Sequence, residues 1–258
     1  MLPVIVLLTD FGHLDPYVGQ MKGALLCAAP QARIVDLCHE VRAHDTAQAG
    51  FLLQASQRHF PAGSVFVCVV DPGVGSGRAI LLARHAGRYF LAPDNGALSF
   101  LRDEPATWWR VRTDTSAASR TFHGRDIFAG IAARIARGED PHSIGTPVDP
   151  GETISLPSAW AEAGNGELRC RVMHVDRFGN CLLNLRAGHP LGPGIWVLED
   201  GRPVHPAATY ADLMPGQIGL IEGSQGVMEL AVNGGSCARL LGLAPGSPLN
   251  LTQTDARP

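Results

Sequence analysis

Asp71, Arg78 and His123 have side chains suited to acid–base chemistry on a small molecule. A carboxylate accepts protons, a guanidinium donates hydrogen bonds while keeping its charge, and an imidazole exchanges a proton near neutral pH. Asp71 opens the glycine-rich run Asp71-Pro72-Gly73-Val74-Gly75-Ser76-Gly77-Arg78. The run lacks the Lys-Ser/Thr ending of a Walker loop and no helix pattern clearly follows it. It reads better as a loop that lets backbone approach a ligand and brings Arg78 back toward Asp71. His123 lies in Thr121-Phe122-His123-Gly124-Arg125-Asp126, just ahead of a helix pattern. Asp10, like Asp71, ends an apolar run, and a carboxylate there can accept both hydroxyls of a ribose. Further along, Asp176-Arg177-Phe178-Gly179-Asn180 separates two strand-like segments. Each of these residues also has a plain structural reading. The aspartates can cap turns, His123 can be a structural histidine, and Gly179-Asn180 suits a hairpin turn.

The elements that must position these residues alternate in type through the first 150 residues. Val4 to Leu8 is a continuous apolar run, as expected of a buried parallel strand. Asp15-Pro16 predicts an N-cap and first helical residue, with the helix running to about Ala29 before Pro30. Ile34 to Leu37 predicts a second strand. Asp45 predicts the cap of a second helix with apolar Ala47, Phe51, Leu52 and Ala55. Val65 to Val70 predicts a third strand ending at Asp71. Ala79–Ala83 and Tyr89–Ala92 predict a hairpin across His85-Ala86-Gly87. Asp126 predicts the cap of a helix carrying Ile127, Ile131 and Ile135, ended by Gly138. This order implies an α/β layered domain with a mostly parallel sheet over residues 1–150. Residues 151–166 carry Pro and Gly without periodicity and read as a linker. Residues 167–258 follow as short strand segments: 168–175, 181–185, 195–198, 217–221 and 227–232. That pattern fits a smaller β-barrel domain.

Composition narrows the function class. The chain has 258 residues, 45% of them hydrophobic, so it can build substantial cores. Its net charge of −3 offers no broad basic surface, so nucleic acid is not an expected partner. The start Met1 to Leu8 lacks the basic flank and cleavage site of a signal peptide, and no apolar run reaches the roughly 18 residues of a membrane span. None of the six cysteines forms a CxxC pair. These features predict a cytoplasmic protein with free thiols, no membrane association and no metal.

Taken in order, the motifs resemble one family. They are Leu8-Thr9-Asp10-Phe11-Gly12 with Asp15-Pro16-Tyr17-Val18-Gly19, then Val70-Asp71-Pro72-Gly73-Val74-Gly75 with Arg78, then Pro93-Asp94-Asn95-Gly96. Thr121 to Asp126, Asp176 to Asn180 and Glu222-Gly223-Ser224-Gln225-Gly226 complete the set. Together they resemble the S-adenosyl-L-methionine hydroxide adenosyltransferases, the adenosine-forming hydrolases related to fluorinase and chlorinase. The likeness spans nearly the whole chain. It implies an N-terminal α/β domain, a C-terminal β-barrel, and a homotrimer whose sites lie between subunits. It also implies hydrolysis of S-adenosyl-L-methionine to adenosine and L-methionine, without cofactor, by attack of water or hydroxide on the ribose C5′. In that scheme Asp71, Arg78 and His123 prepare the water, with the proton going to Asp71 or His123. Asp10 binds the ribose hydroxyls, Phe178 lies against the adenine and Asn180 hydrogen-bonds it. Asp176 faces the methionine ammonium, and Ser224 lies near the methionine carboxylate. Two positions depart from the fluorinase: Gln225 replaces an Arg, and His44 replaces a Trp.

Two rival readings deserve comparison. The halogenases carry Tyr at the position of Asp71, where a carboxylate would repel a halide, and the fluorinase has an extra loop after the position of Arg78. A non-catalytic adenosine or S-adenosylmethionine sensor would not require Asp71, Arg78 and His123 together.

Overall fold

The computed structural model describes residues 2–113, 118–156, 160–164, 166–189 and 194–254. The chain divides into two compact units, Met1–Leu156 and Pro157–Pro258. Residues 157–159 and 165, within the expected linker, lie outside the described residues.

In the first unit, β1 (Val4–Thr9), β2 (Arg33–Cys38), β3 (Val65–Val69), β4 (Ile80–His85), β5 (Arg88–Pro93), β6 (Ala106–Val111) and β7 (Gly145–Pro147) form one sheet in the order β2-β1-β3-β5-β4-β6-β7. β2, β1, β3 and β5 run parallel, while β4, β6 and β7 join by antiparallel pairing. The helices are α1 (Tyr17–Ala28), α2 (Thr46–Ser56), α3 (Ala129–Ala136) and the single turn α4 (Pro141–Ile144).

The alternation of β1 explains its unbroken apolar sequence, because both of its faces are covered. Ile5 and Leu7 pack with Met21 and Leu25 of α1 and with Ile131 and Ile135 of α3. Val6 and Leu8 pack on the other face with Ala49 and Leu53 of α2. Each such side chain taken from water contributes about 1.5–3 kcal/mol, so two full apolar faces make β1 the central fixture of this unit. The result is a layered α/β unit, as the sequence order implies.

Three local expectations are corrected. Asp15 does not cap α1: the cap residue is Pro16, with no side-chain cap, and the first turn closes through Gln20 N–H to the Pro16 carbonyl at 2.9 Å. Asp45 does cap α2, accepting from Gln48 N–H at 2.9 Å, but the buried face runs through Ala49, Leu53 and Phe51 while Ala47 is exposed. Asp126 is not a cap, because a π turn spans Gly124–Phe128 ahead of α3 and places Asp126 inside it. The wider turn breaks the 3.6-residue count on which the cap expectation rests. Gly138, at φ 85°, ends α3 as expected.

The second unit contains β8 (Glu162–Gly164), β9 (Glu167–Val175), β10 (Cys181–Arg186), β11 (Ile195–Leu198), β12 (Pro203–Ala207), β13 (Ile218–Glu222), β14 (Val227–Val232) and β15 (Pro248–Thr254). The pairing order is β10-β14-β13-β12-β11-β15-β9, and β9 pairs back to β10, so seven strands close a barrel. Its interior holds Leu168, Val172, Leu183, Trp196, Leu220 and Leu230. β8, within the stretch read as linker, pairs with β9. A short helix, α5 (Cys237–Leu241), was not legible in the sequence; Ser236 caps it and Gly242 ends it at φ 66°. Among the described residues, no helix is long and apolar enough to cross a membrane.

Candidate active site

In the first unit the glycine-rich loop after β3 folds back on itself. Val74 N–H donates to the Asp71 carbonyl at 3.3 Å, and Ser76 N–H donates to that of Gly73 at 3.1 Å. Gly75 has φ 79°, and a Cβ there would lie 2.6 Å from the Arg120 carbonyl oxygen. Glycine is therefore required where the loop meets the segment leading to His123.

That closure returns Arg78 to Asp71. Arg78 Nε donates to Asp71 Oδ1 at 2.7 Å, and Nη2 donates to Oδ2 in a two-pronged pair. The same Nη2 lies 3.2 Å from His123 Nδ1. A guanidinium only donates, so Nδ1 is the acceptor and the neutral ring carries its proton on Nε2. The Arg78 guanidinium also sits 5.6 Å from the centre of the Phe128 ring, inside the π turn. His123 is buried, and burial followed by the Arg78 charge pushes it below the ordinary histidine value, with Asp71 partly opposing. The structure thus brings together a carboxylate, a guanidinium and a neutral imidazole.

Other motif residues brace this cluster. Asn95 Nδ2 donates to the Val70 carbonyl at 2.8 Å, tying the end of β5 to the residue before Asp71. Asp94 Oδ1 accepts from Ile154 N–H at 2.8 Å. Asp126 accepts from Ser119 N–H at 2.9 Å and pairs with Arg125, anchoring the approach to His123. Phe11, Tyr17 and Phe122 meet edge-on, with ring centres 5.2–5.9 Å apart.

Asp10 follows β1, and its Oδ2 accepts from His44 N–H at 2.9 Å. His44 holds φ 66°, uncommon for a side chain other than glycine, and this conformation directs its amide at Asp10. Behind Asp10, buried Thr9 Oγ1 lies 2.8 Å from Nδ1 of buried His39. Sequence reasoning missed His39; a histidine beside an apolar strand carried no distinguishing signal.

In the second unit, Asp176–Asn180 is the β9–β10 turn, and it also presents side chains. Asp176 Oδ1 accepts from Phe178 and Asn180 N–H at 2.9 and 2.8 Å, and Oδ2 accepts from Asn180 Nδ2 at 2.9 Å. Asn180 is thereby held buried, while Phe178 is left 77% exposed. Gly179, at φ 87°, lies so close to Ser236 that a Cβ would be 2.0 Å from Ser236 Oγ. Ser224 is exposed on the β13–β14 hairpin, with Gln225 Nε2 3.5 Å from its Oγ. Sequence reasoning also missed Tyr210 and Glu229. Glu229 is a lone acid in the apolar run Val227–Val232, and that break in the run is the signal that could have found it.

The layered α/β unit with its buried Asp-Arg-His cluster, together with a closed barrel carrying a polar aromatic turn, defines a two-unit protein equipped for water chemistry on a small molecule. Residues 5–145 match the SAM hydroxide adenosyltransferase N-terminal domain and residues 170–250 its C-terminal domain, and the chain belongs to that family. It is 38% identical to the (R)-S-adenosyl-L-methionine hydrolase of Thermus thermophilus, over 96% of this chain and 98% of the relative. The hydrolase of the same name from Salinispora arenicola is 34% identical over 97% and 98%. A fluorinase from Actinopolyspora mzabensis is 24% identical over 98% of each chain. A crystal structure of an uncharacterized conserved protein from Thermotoga maritima shares 27% identity at a TM-score of 0.88, covering 97% of this chain and all of that one.

Proposed function

We propose that this protein hydrolyses S-adenosyl-L-methionine to adenosine and L-methionine. The observation that carries this reading is the assembled Asp71–Arg78–His123 cluster in a chain of this family. Water oxygen bonds to ribose C5′ as the C5′–S bond breaks, and the bond's electron pair neutralises the sulfonium to a thioether. Departure of a neutral thioether needs no acid, so the catalytic task is to hold and deprotonate the water. His123 Nδ1 is engaged by Arg78, which leaves its Nε2–H to hold the water oxygen and the Asp71 carboxylate to take the proton. Arg78 then faces the developing hydroxide charge. Asp10 binds the ribose hydroxyls, Phe178 and Asn180 take the adenine, and Asp176 and Ser224 take the methionine end. The relatives' names support the (R) epimer at sulfur as the substrate.

The proposed assembly is a homotrimer with sites shared between subunits. The exposure of Phe178 and of Leu14, fully exposed beside the Asp10 loop, supports surfaces that meet another copy. Six free cysteines support a reducing cytoplasm. Incubating purified protein with S-adenosylmethionine, with EDTA present, should give adenosine and methionine in equal amounts on chromatography, and light scattering should report a trimer. No adenosine from either epimer would refute the activity, and a fully active monomer would refute the shared site.

A further inference from the structure

We propose that Glu229 is a second carboxylate for the substrate's amino-acid ammonium, held in place by Tyr210. The inference rests on the assignment of Asp176 and Ser224 to the methionine end, and it adds a specificity-determining residue there.

Glu229 lies on β14, opposite Leu182 of β10 and Ile221 of β13. Its neighbours Met228 and Leu230 fill the barrel interior, so alternation turns Glu229 to the outer face, on the side of Ala231 and Ile221. An acid there would ordinarily reach solvent, yet Glu229 is 5% exposed. The Tyr210 hydroxyl, from the 3₁₀ turn Tyr210–Asp212, donates to Glu229 Oε1. Glu229 Oε2 makes no hydrogen bond among the described residues and sits against Gly223, where an added Cβ would lie 2.9 Å away. Gly223 precedes Ser224, so this oxygen is aimed at the hairpin assigned to the methionine end.

The charges agree with the geometry. Burial pushes the Glu229 carboxyl above the usual range, with the Tyr210 hydrogen bond partly opposing and the Asp176 charge adding to the rise, and no basic side chain acts on it. A buried carboxylate beside another acid, without a cation, is unfavourable in its ionised form until a bound group supplies the positive charge. An ammonium has three N–H donors to satisfy. Asp176 commits Oδ1 to two backbone amides, leaving Oδ2, which already accepts from Asn180. Glu229 Oε2 supplies the acceptor that Asp176 lacks.

The test compares S-adenosylmethionine with an analogue whose ammonium is replaced by hydrogen. Glu229→Gln keeps the shape and removes the charge. It should raise KM for S-adenosylmethionine about 10- to 100-fold, the loss expected for a charged hydrogen bond, with kcat nearly unchanged. The analogue should be handled alike by both proteins, and adenosine affinity by calorimetry should not move. Tyr210→Phe, which leaves Glu229 in place, should raise KM for the ammonium-bearing substrate about 3-fold. Unchanged KM in both variants, an equal loss on both substrates, or loss of adenosine binding would overturn the proposal. If the wild-type protein releases no adenosine, the hydrolase reading fails separately, and calorimetric binding of S-adenosylmethionine to wild-type and Glu229→Gln protein still decides the role of Glu229.

Discussion

The two units hold their functional side chains in opposite ways. In the α/β unit Asp71, Arg78 and His123 are buried and bonded to one another, with side-chain exposures of 6% for Asp71 and 11% for Arg78. In the barrel unit Phe178 and Ser224 stand out on turns, and only Asn180 and Glu229 are buried. Groups that act on a transition state gain from being fixed beforehand, because no reorganisation is then needed as charge develops. Groups that recognise a ligand can stay open until the ligand or a neighbouring subunit covers them. On the proposed function, this contrast goes with chemistry in the first unit and, Asp10 apart, recognition in the second, and the division can be tested.

The largest effect should come from the buried cluster. Asp71→Asn should lower kcat by about 10²–10⁴, with substrate affinity by calorimetry nearly unchanged. Combining it with His123→Ala should cost much less than the product of the two single effects, because a water missing one partner gains little from the other. If the single variants lost affinity and kept kcat, the cluster would be a binding shell and the contrast would collapse.

In the barrel, Phe178→Ala should weaken binding of both substrate and adenosine, at about 1–3 kcal/mol for a lost base-stacking ring, and leave kcat near wild type. A fall in kcat at saturating substrate would show that the barrel takes part in the chemistry.

A finer test uses pH. His123 is held below the ordinary histidine value near 6.5, so its neutral form persists as pH falls through 6.5. The acid limb of kcat/KM should therefore lie below 6.5. Stability contributed by the neutral ring is present above 6.5 and is lost as pH falls through the lower folded-state value. An acid limb above 6.5 that disappears in His123→Gln would mean that the ring is not held below the ordinary value, and a basic limb that disappears in that variant would mean that the ring is charged in the working enzyme.

Sequence and structure agree best where one rule dominates. β1 was legible because both of its faces are buried, and Asp45 because its cap needs only the next turn. The β9–β10 turn was legible through Gly179. Asp126 was misread because a π turn shifts the helical count, and Asp15 because the cap moved one residue on to Pro16. β12 escaped notice because Pro203 and Pro206 interrupt its pattern, and α5 because five residues carry too little periodicity. In the candidate site, the residue types of the cluster were legible, but its contacts were not. Only the three-dimensional closure of the loop shows that Nδ1 of His123 faces Arg78.

The closure of that loop also bears on how the cluster forms during folding. Asp71 and Arg78 are seven residues apart, whereas Arg78 and His123 are 45 apart. By chain entropy alone, the longer closure costs about 1.6 kcal/mol more. The carboxylate–guanidinium pair is thus a local event that can form as soon as the loop does, while the imidazole arrives only once the segment before α3 has docked on Gly75. The chain therefore reaches an ordered but incomplete site before a competent one. Local opening of the Ser119–His123 segment would return it to that state, withdrawing the imidazole while leaving the charge pair intact.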